Sequence, residues 1–307
     1  MGAPGAPQAS TQRARWLALA AGAGLEVAMV LSWSAGFVGV RFATDYAPIF
    51  LILLWRSLVS GLLLLPLALL AGPRMRGKDV LQQVAFGALA MAGYLAGYSL
   101  AIAHGAPTGI VALITDMLPL AVALLSWPVL GQALSARQWL GTGLGVAGVL
   151  IASAWSTGHT DTSAWVYLWP VLGTTLLALA SLLQKRSASG AMPVYQSLCI
   201  QCLSAAVIFA GFAWHEGSVL PVLKREFIGG ILWLVFIATF GAWGLYYLAL
   251  QKFSPARVTA ILYLSPPVTM VWAWTLFQEP LSWAMALGLA VSLLGVLLVA
   301  RAQKPGH

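Results

Sequence analysis

The chain has 307 residues, of which 60% are apolar and only 8% are charged. A soluble domain carries roughly a quarter charged residues, so this composition excludes an ordinary soluble protein and predicts that lipid is the solvent. The formal net charge of +8 does not indicate a nucleic-acid partner. The basic residues form no patch with interleaved aromatic residues, and they lie in short polar stretches between apolar runs.

Ten apolar segments follow one another along the chain, each close to the length of about 20 residues that crosses the hydrocarbon core as a helix. Residues 1–20 precede them as a cytoplasmic N-terminal tail and the entry to the first helix. The predicted fold class is therefore an all-α integral membrane protein. The predicted spans are 21–43, 48–71, 80–103, 107–130, 136–154, 164–185, 193–214, 228–251, 255–277 and 282–301.

The basic residues predict the orientation of these spans. With the N-terminus in the cytoplasm, the outer loops hold only Arg41, Lys224 and Arg225. Because cytoplasmic loops carry an excess of Lys and Arg, we expect both termini in the cytoplasm. The inner loops and tails hold Arg13, Arg15, Arg74, Arg76, Lys78, Arg137, Lys185, Arg186, Lys252, Arg257, Arg301 and Lys304.

The second half of the chain repeats the first with an offset of 147 residues. The segment LGQALSARQWLGTGLGVAGVLIA, which starts at Leu130, aligns without a gap with FQEPLSWAMALGLAVSLLGVLLV, which starts at Phe277. The predicted repeats are 21–155 and 164–301, with five spans each. Because five is an odd number, the two copies enter the membrane from opposite sides. Such inverted repeats are common in secondary transporters that work by alternating access.

Several motifs resemble those of a known family. The opening LSWSAGFVGVRFA, followed by Ala47-Pro48 and Trp55-Arg56-Ser57, resembles the first two helices of the drug/metabolite transporter (DMT) superfamily. The helices that contain Pro119 and Pro266 resemble the fourth helix of its two EamA-type modules. The likeness covers nearly the whole chain, and within the superfamily it is closest to the YddG-like aromatic amino-acid exporters.

This resemblance implies a ten-helix exporter in the inner (plasma) membrane of a bacterium, with lipid around it and a small-molecule substrate such as an amino acid. The direction of transport, out of the cell, comes from the resemblance and not from the residues. One position departs from the family pattern. EamA modules often carry a glutamate after the fourth helix of each repeat, which the second copy retains as Glu279, whereas the first copy has Gln132. This difference favours a structural role for the position.

The chain contains no enzyme motif. HExxH, GxSxG and clusters of His, Cys or carboxylates at metal-ligand spacing are absent. The GxGxxG match at 143–148 has no preceding strand and lies inside a predicted span, so it does not indicate a nucleotide site. Cys199 and Cys202 lie in an apolar run, where cysteine packs as a small hydrophobe. We expect no enzyme activity, cofactor or metal, and the alternatives from other classes are a lipid flippase or an intramembrane enzyme.

Charged residues within predicted spans are costly and mark functional sites by default. Arg56, in the second span, would either hold a substrate carboxylate or brace a neighbouring helix through backbone carbonyls. Asp116, near the middle of the fourth span, would hold a substrate ammonium group, carry a proton, or bond backbone donors and hydroxyls nearby. The sequence leaves these alternatives open.

Aromatic residues recur on single faces of the first, third and eighth spans. Tyrosine and tryptophan in the middle of a span need a hydrogen-bond partner or water, which favours a wet cavity over packing alone. We therefore predict a substrate site that consists of Trp33, Tyr94, Tyr98, Trp243 and Tyr246 together with Asp116.

Pro119 and Pro266, related by the 147-residue offset, predict a kink in the fourth and the ninth helix. Each proline frees a backbone carbonyl one turn earlier, and such groups are tolerated where they line a cavity. The sequence therefore predicts that both kinks line the central site. The same site would also serve the competing function, export of organic cations, because aromatic rings attract cations.

Overall fold

A computed structural model of the protein describes residues 7–131, 133–159, 162–186, 192–253, 258 and 261–302. These residues form helices joined by short connections, without a strand. The helices are α1 (Pro7–Ala43), α2 (Ile49–Leu70), α3 (Gly77–Ala103), α4 (Thr108–Leu130), α5 (Ala136–His159), α6 (164–186), α7 (Val194–His215), α8 (225–252), α9 (Ser265–Phe277) and α10 (Trp283–Ala302).

The structure confirms the all-helical membrane fold. Within the described part of the chain, nine helices are long and apolar enough to cross a membrane, and α9 covers the C-terminal part of the remaining predicted span, 255–277. Helices α3 and α8 begin three residues earlier than predicted, at Gly77 and Arg225, because a polar first turn precedes each apolar run. Gln132, Arg257 and Lys304, on which parts of the sequence interpretation depend, lie outside the described residues.

The two repeats meet along a glycine seam between α5 and α10. A Cβ atom added to Gly141 would lie 2.6 Å from the carbonyl oxygen of Gly295, and one added to Gly148 would lie 2.4 Å from that of Gly288. The helices are therefore antiparallel, and only small residues allow backbones to approach so closely. The offset of 147 residues relates Gly141 to Gly288 and Gly148 to Gly295, so it converts each of these two contacts into the other. A twofold relation between the repeats requires this.

Local irregularities of the helices recur in the two repeats at the same offset of 147 residues. A π-helical segment at Gly87–Gly93 interrupts α3, and another at Leu234–Gly241 interrupts α8. The helices α4 and α9 are each followed by a residue in the left-handed conformation, Gly131 and Gln278. The two five-helix units thus share their deviations from regular helix as well as their order of helices.

The fourth helix of the first repeat is broken near its middle. Helix α4 consists of Thr108–Thr115 and Leu118–Leu130, with Asp116 and Met117 in the turn between them. The corresponding turn in the second repeat contains Tyr263 and directly precedes α9. Pro119 and Pro266 each lie two residues after the last residue of their turn. Each turn brings side chains and backbone groups to the centre of the bundle.

Candidate functional site

A central cavity of about 160 Å³ lies beside the break in α4. Side chains from both repeats line it, contributed by α1, α3 and α4 of the first and by α6, α8 and the turn before α9 of the second. The cavity is thus located where the two repeats face each other, as in other transporters with inverted repeats. The lining residues are Trp33, Tyr94, Thr115, Asp116, Leu118, Pro119, Leu177, Ser181, Trp243, Tyr246, Leu262 and Tyr263.

Three aromatic rings form one wall of this cavity. The ring centroids of Trp33 and Trp243 are 5.8 Å apart, and Tyr246 lies 6.1 Å from Trp33 and 6.2 Å from Trp243. These separations are within the range in which aromatic pairs attract each other. The three residues come from α1 and α8, so the wall joins the two repeats.

Asp116 supplies a carboxylate to the cavity. Asp116 is 9% exposed, and its carboxylate faces the Ser265 hydroxyl and the Trp33 indole. The Oδ2 atom has no hydrogen-bond partner among the described residues, and the same holds for the hydroxyl of Tyr263, which also lines the cavity. Buried polar atoms are normally satisfied, so the cavity has unused capacity for a polar ligand or water.

The helix break explains why Asp116 can lie at this depth. Its backbone N–H still bonds to the carbonyl of Ala112, so it ends the first half of α4. Its side chain precedes the second half, which begins at Leu118, and the N-terminal end of a helix favours negative charge.

Arg56 lies in a second, smaller cavity of about 40 Å³. Its Nη1 donates to the hydroxyl of Tyr98 at 2.8 Å and its Nε donates to Thr239 Oγ1 at 3.2 Å. Trp33, Tyr94 and Trp243 line this cavity as well as the central one. Arg56 therefore braces α2 against α3 and α8 through side-chain hydroxyls, whereas the bracing alternative predicted from sequence involved backbone carbonyls.

A larger cavity of about 390 Å³ adjoins the central one on one side. Leu177, Ser181, Trp243 and Tyr246 line both cavities. The larger one extends between α3, α6, α7 and α8 to Gln184, near the last turn of α6. We call this side of the bundle the Gln184 end.

At the opposite end, which we call the Arg41 end, polar contacts join the helix connections. Glu279, in the α9–α10 connection, accepts hydrogen bonds from the backbone N–H of Thr108 at 2.7 Å and from its hydroxyl at 2.6 Å. Arg41 pairs with Asp45 at 2.7 Å and lies 3.8 Å from Glu279. These contacts hold the α9–α10 connection against the first turn of α4.

The structure brings most of the predicted site residues together. Tyr98 instead lies behind Tyr94, with ring centroids 5.2 Å apart, and contacts Arg56. Pro266 is buried and follows the lining residues Leu262 and Tyr263 without being among them. The predicted residues that line the central cavity are Trp33, Tyr94, Asp116, Trp243, Tyr246 and Pro119.

Other lining residues were not predicted. Tyr263 had a usable signal, because the 147-residue offset pairs it with Asp116. Leu177 and Ser181 of α6 had no such signal in the sequence, because apolar and small residues are common on every face of a membrane helix.

Comparisons with known proteins agree with this architecture. Residues 20–154 and 164–301 each match the EamA-like transporter family. The chain belongs to this family. It is therefore a multi-pass membrane protein of a family of transporters, and such a protein handles a small-molecule substrate in a lipid environment.

Individual EamA relatives match over most of their length. The chain is 26% identical to the uncharacterized inner membrane transporter YedA of Escherichia coli K12, with 89% of this chain and 88% of YedA covered. It is 29% identical to a probable terminal-alkyne amino-acid exporter of Streptantibioticus cattleyicolor, with 90% and 92% covered. A solved crystal structure, 18% identical in sequence, covers 93% of the chain with a TM-score of 0.63, which indicates a shared fold.

Proposed function

We propose that the protein exports small amphipathic amino acids by alternating access. In this proposal, the carboxylate of Asp116 binds the substrate ammonium group, and Trp33, Trp243 and Tyr246 contact its apolar side chain. The observation that carries the proposal is the unpartnered Asp116 Oδ2 in a cavity with an aromatic wall. The similarity to a probable terminal-alkyne amino-acid exporter supports the same substrate class.

We further propose that both termini and the Gln184 end face the cytoplasm. The hydroxyl of Tyr195, in the first turn of α7, donates to the carbonyl of Ala71, so the α2–α3 connection with its basic residues lies at this end. The positive-inside rule assigns such a connection to the cytoplasm. Labelling of an Arg76→Cys variant, in a background without Cys199 and Cys202, tests the assignment. Rapid labelling by an impermeant reagent in intact cells would contradict it.

In this orientation, the 390 Å³ cavity leads from the cytoplasm toward Asp116. A cavity of about 320 Å³ at the Arg41 end shares no lining residue with the central one, so this end is closed toward Asp116. A solute would enter from the cytoplasm and leave after the two ends exchange roles. Proteoliposomes test transport directly. Unlabelled L-phenylalanine or L-propargylglycine inside the vesicles should accelerate uptake of the labelled amino acid. Absence of counterflow with a broad amino-acid panel would overturn the proposed substrate class.

Export of organic cations is the second candidate function. The same carboxylate and rings favour it, because a desolvated cation over an aromatic face gains about 2 kcal/mol. The two candidates differ in their need for a substrate carboxylate. Competition of L-phenylalanine counterflow by 2-phenylethylamine, its decarboxylated analogue, separates them: a cation exporter prefers the amine, and an amino-acid exporter prefers the zwitterion.

A further inference from the structure

Arg56 is a deeply buried cation without an anionic partner among the described residues. It is 5% exposed, the ion pairs of the described part of the chain involve Arg41 and not Arg56, and its two hydrogen-bond partners are neutral hydroxyls. A charge inside the membrane is costly, and it normally pairs with an opposite charge or marks a substrate pathway. Neutral bracing alone gives no reason for a full positive charge at this depth.

The guanidinium is held in a way that leaves part of it available. Its Nε and Nη1 atoms are engaged by Thr239 and Tyr98, whereas Nη2 has no hydrogen-bond partner among the described residues. The side chain lines the cavity of about 40 Å³. Since about 10–15 Å³ holds one water molecule, this space accepts a group of a few heavy atoms, such as a carboxylate, but not a whole amino acid.

The small cavity and the central one share three aromatic lining residues. Trp33, Tyr94 and Trp243 line both spaces. Asp116 in the central cavity and Arg56 in the small one therefore lie beside the same set of rings. This arrangement offers an anionic and a cationic group to a zwitterion whose apolar part contacts the rings.

We infer that Arg56 is the carboxylate subsite of the transporter, an assignment that rests on the proposed export of amino acids. The substrate carboxylate enters the small cavity and accepts a hydrogen bond from the guanidinium, while Tyr98 and Thr239 keep the guanidinium oriented. Arg56 then determines specificity, because a monocation without a carboxylate leaves the buried positive charge without an anion. Asp116 and Arg56 together would select for zwitterions over organic cations.

A matched set of ligands tests this inference on the purified full-length protein. L-Phenylalanine carries both charges, 2-phenylethylamine lacks the carboxylate and 3-phenylpropanoate lacks the ammonium group. Calorimetric binding should be tightest for phenylalanine in the wild type. Arg56→Gln should weaken phenylalanine binding about 10-fold or more, the value of one hydrogen bond to a charged group, and leave the affinity for 2-phenylethylamine unchanged.

Two further variants separate this role from bracing. Ser60→Ala removes another buried polar group, one turn along α2, that has no hydrogen-bond partner in the described structure, and it should leave all three affinities unchanged. Arg56→Lys keeps the charge and should retain the preference for phenylalanine over the amine, even if Arg56→Gln does not fold.

Equal wild-type affinities for phenylalanine and 2-phenylethylamine would overturn the Arg56 subsite and leave amino-acid export standing. An equal loss of both affinities in Arg56→Gln would have the same meaning. If the wild type binds none of the three ligands and no other amino acid, the proposed function itself is wrong.

Discussion

At the Arg41 end, the α9–α10 connection lies over the first turn of α4, and the cavity of about 320 Å³ there shares no lining residue with the central cavity. At the Gln184 end, a cavity of about 390 Å³ shares four lining residues with the central cavity. The contacts at the closed end are a carboxylate on a helix N-terminus and an ion pair. The open end is lined by amide and hydroxyl side chains such as Gln201 and Ser197. The two ends belong to the same repeated framework, so a few polar contacts account for their difference.

This difference has a counterpart in the sequence. The 147-residue offset pairs Glu279 with Gln132, so the acidic residue that closes the Arg41 end is a neutral amide in the other repeat. The apolar framework follows the offset at the glycine seam between α5 and α10. The balance between the two ends is therefore expected to respond to changes in polar residues near the helix connections more than to changes in the apolar framework.

The largest expected effect is a loss of substrate affinity at the central cavity, which lies between the two ends. Asp116→Asn should weaken apparent affinity for L-phenylalanine about 10- to 150-fold, since a hydrogen bond to a charged group contributes roughly 1.5–3 kcal/mol. The loss should be similar in counterflow and in transport driven by a pH gradient. If counterflow survives while only proton-driven transport is lost, Asp116 carries a proton. If neither assay changes, Asp116 braces its helix and is not part of the site.

The next largest effect is expected at the closed end. Glu279→Ala leaves the buried N–H and hydroxyl of Thr108 without their acceptor, at a cost of about 1–3 kcal/mol to the closed state. Opening at this end should therefore become about 10-fold or more frequent. The readout is thiol labelling of Ile102→Cys, a buried position of the Arg41 end, in a background without the native cysteines.

A matched change at the other end is the control for Glu279→Ala. Gln201 bonds to Gln83 at the Gln184 end, and Gln201→Ala should leave the labelling rate of Ile102→Cys unchanged. Equal rates in the Glu279→Ala variant and the wild type would show that Glu279 does not hold the Arg41 end closed.

Much of this architecture could be predicted from the sequence. Hydropathy and the 147-residue offset gave the spans and the repeat, because the bilayer imposes a fixed length and internal hydrogen bonding on each helix. Asp116 stood out because charge is rare at that depth, and the aromatic residues stood out by their spacing on α1, α3 and α8. These signals are local along one helix.

Contacts between distant helices could not be predicted in this way. Glu279 meets Thr108 across 171 residues, and Arg56 meets Thr239 across 183, so no spacing within one helix reveals either pair. The π-helical segments of α3 and α8 lie in uniformly apolar stretches, where nothing in the residue pattern distinguishes them from regular helix. Once one π-helical segment was known, the 147-residue offset would have predicted the position of the other.

The smallest structural effect is expected for Glu279→Gln. The amide oxygen can accept from the Thr108 N–H and the amide nitrogen can donate to the Thr108 hydroxyl, so both contacts have a replacement. Only the 3.8 Å approach to Arg41 is lost, and a partly exposed pair contributes about 0–1 kcal/mol. Labelling of Ile102→Cys should thus stay close to the wild-type rate. A rate as high as that of Glu279→Ala would mean that the negative charge, and not the hydrogen bonding, closes this end.

Closure of the Arg41 end is also expected to depend on pH through Glu279. Burial raises the pKa of Glu279 above its usual range, although the Thr108 hydrogen bonds and Arg41 oppose that shift. Asp45 and Tyr167 are the other titratable groups near this cluster. When the Arg41 end opens, the carboxyl meets water and its pKa returns to about 4.3.

The closed state therefore binds the proton more tightly than the open one. By linkage, protonation of Glu279 stabilises closure: the contribution is complete below about pH 4.3 and is lost as the pH rises through the raised pKa of the closed state. Acidifying the medium on the Arg41 side should slow labelling of Ile102→Cys relative to the same cysteine in the Glu279→Gln background. This ratio cancels the intrinsic pH dependence of the thiol. A ratio that does not change with pH would show that Glu279 does not titrate between the two states, and faster labelling at low pH would show that the proton opens the Arg41 end.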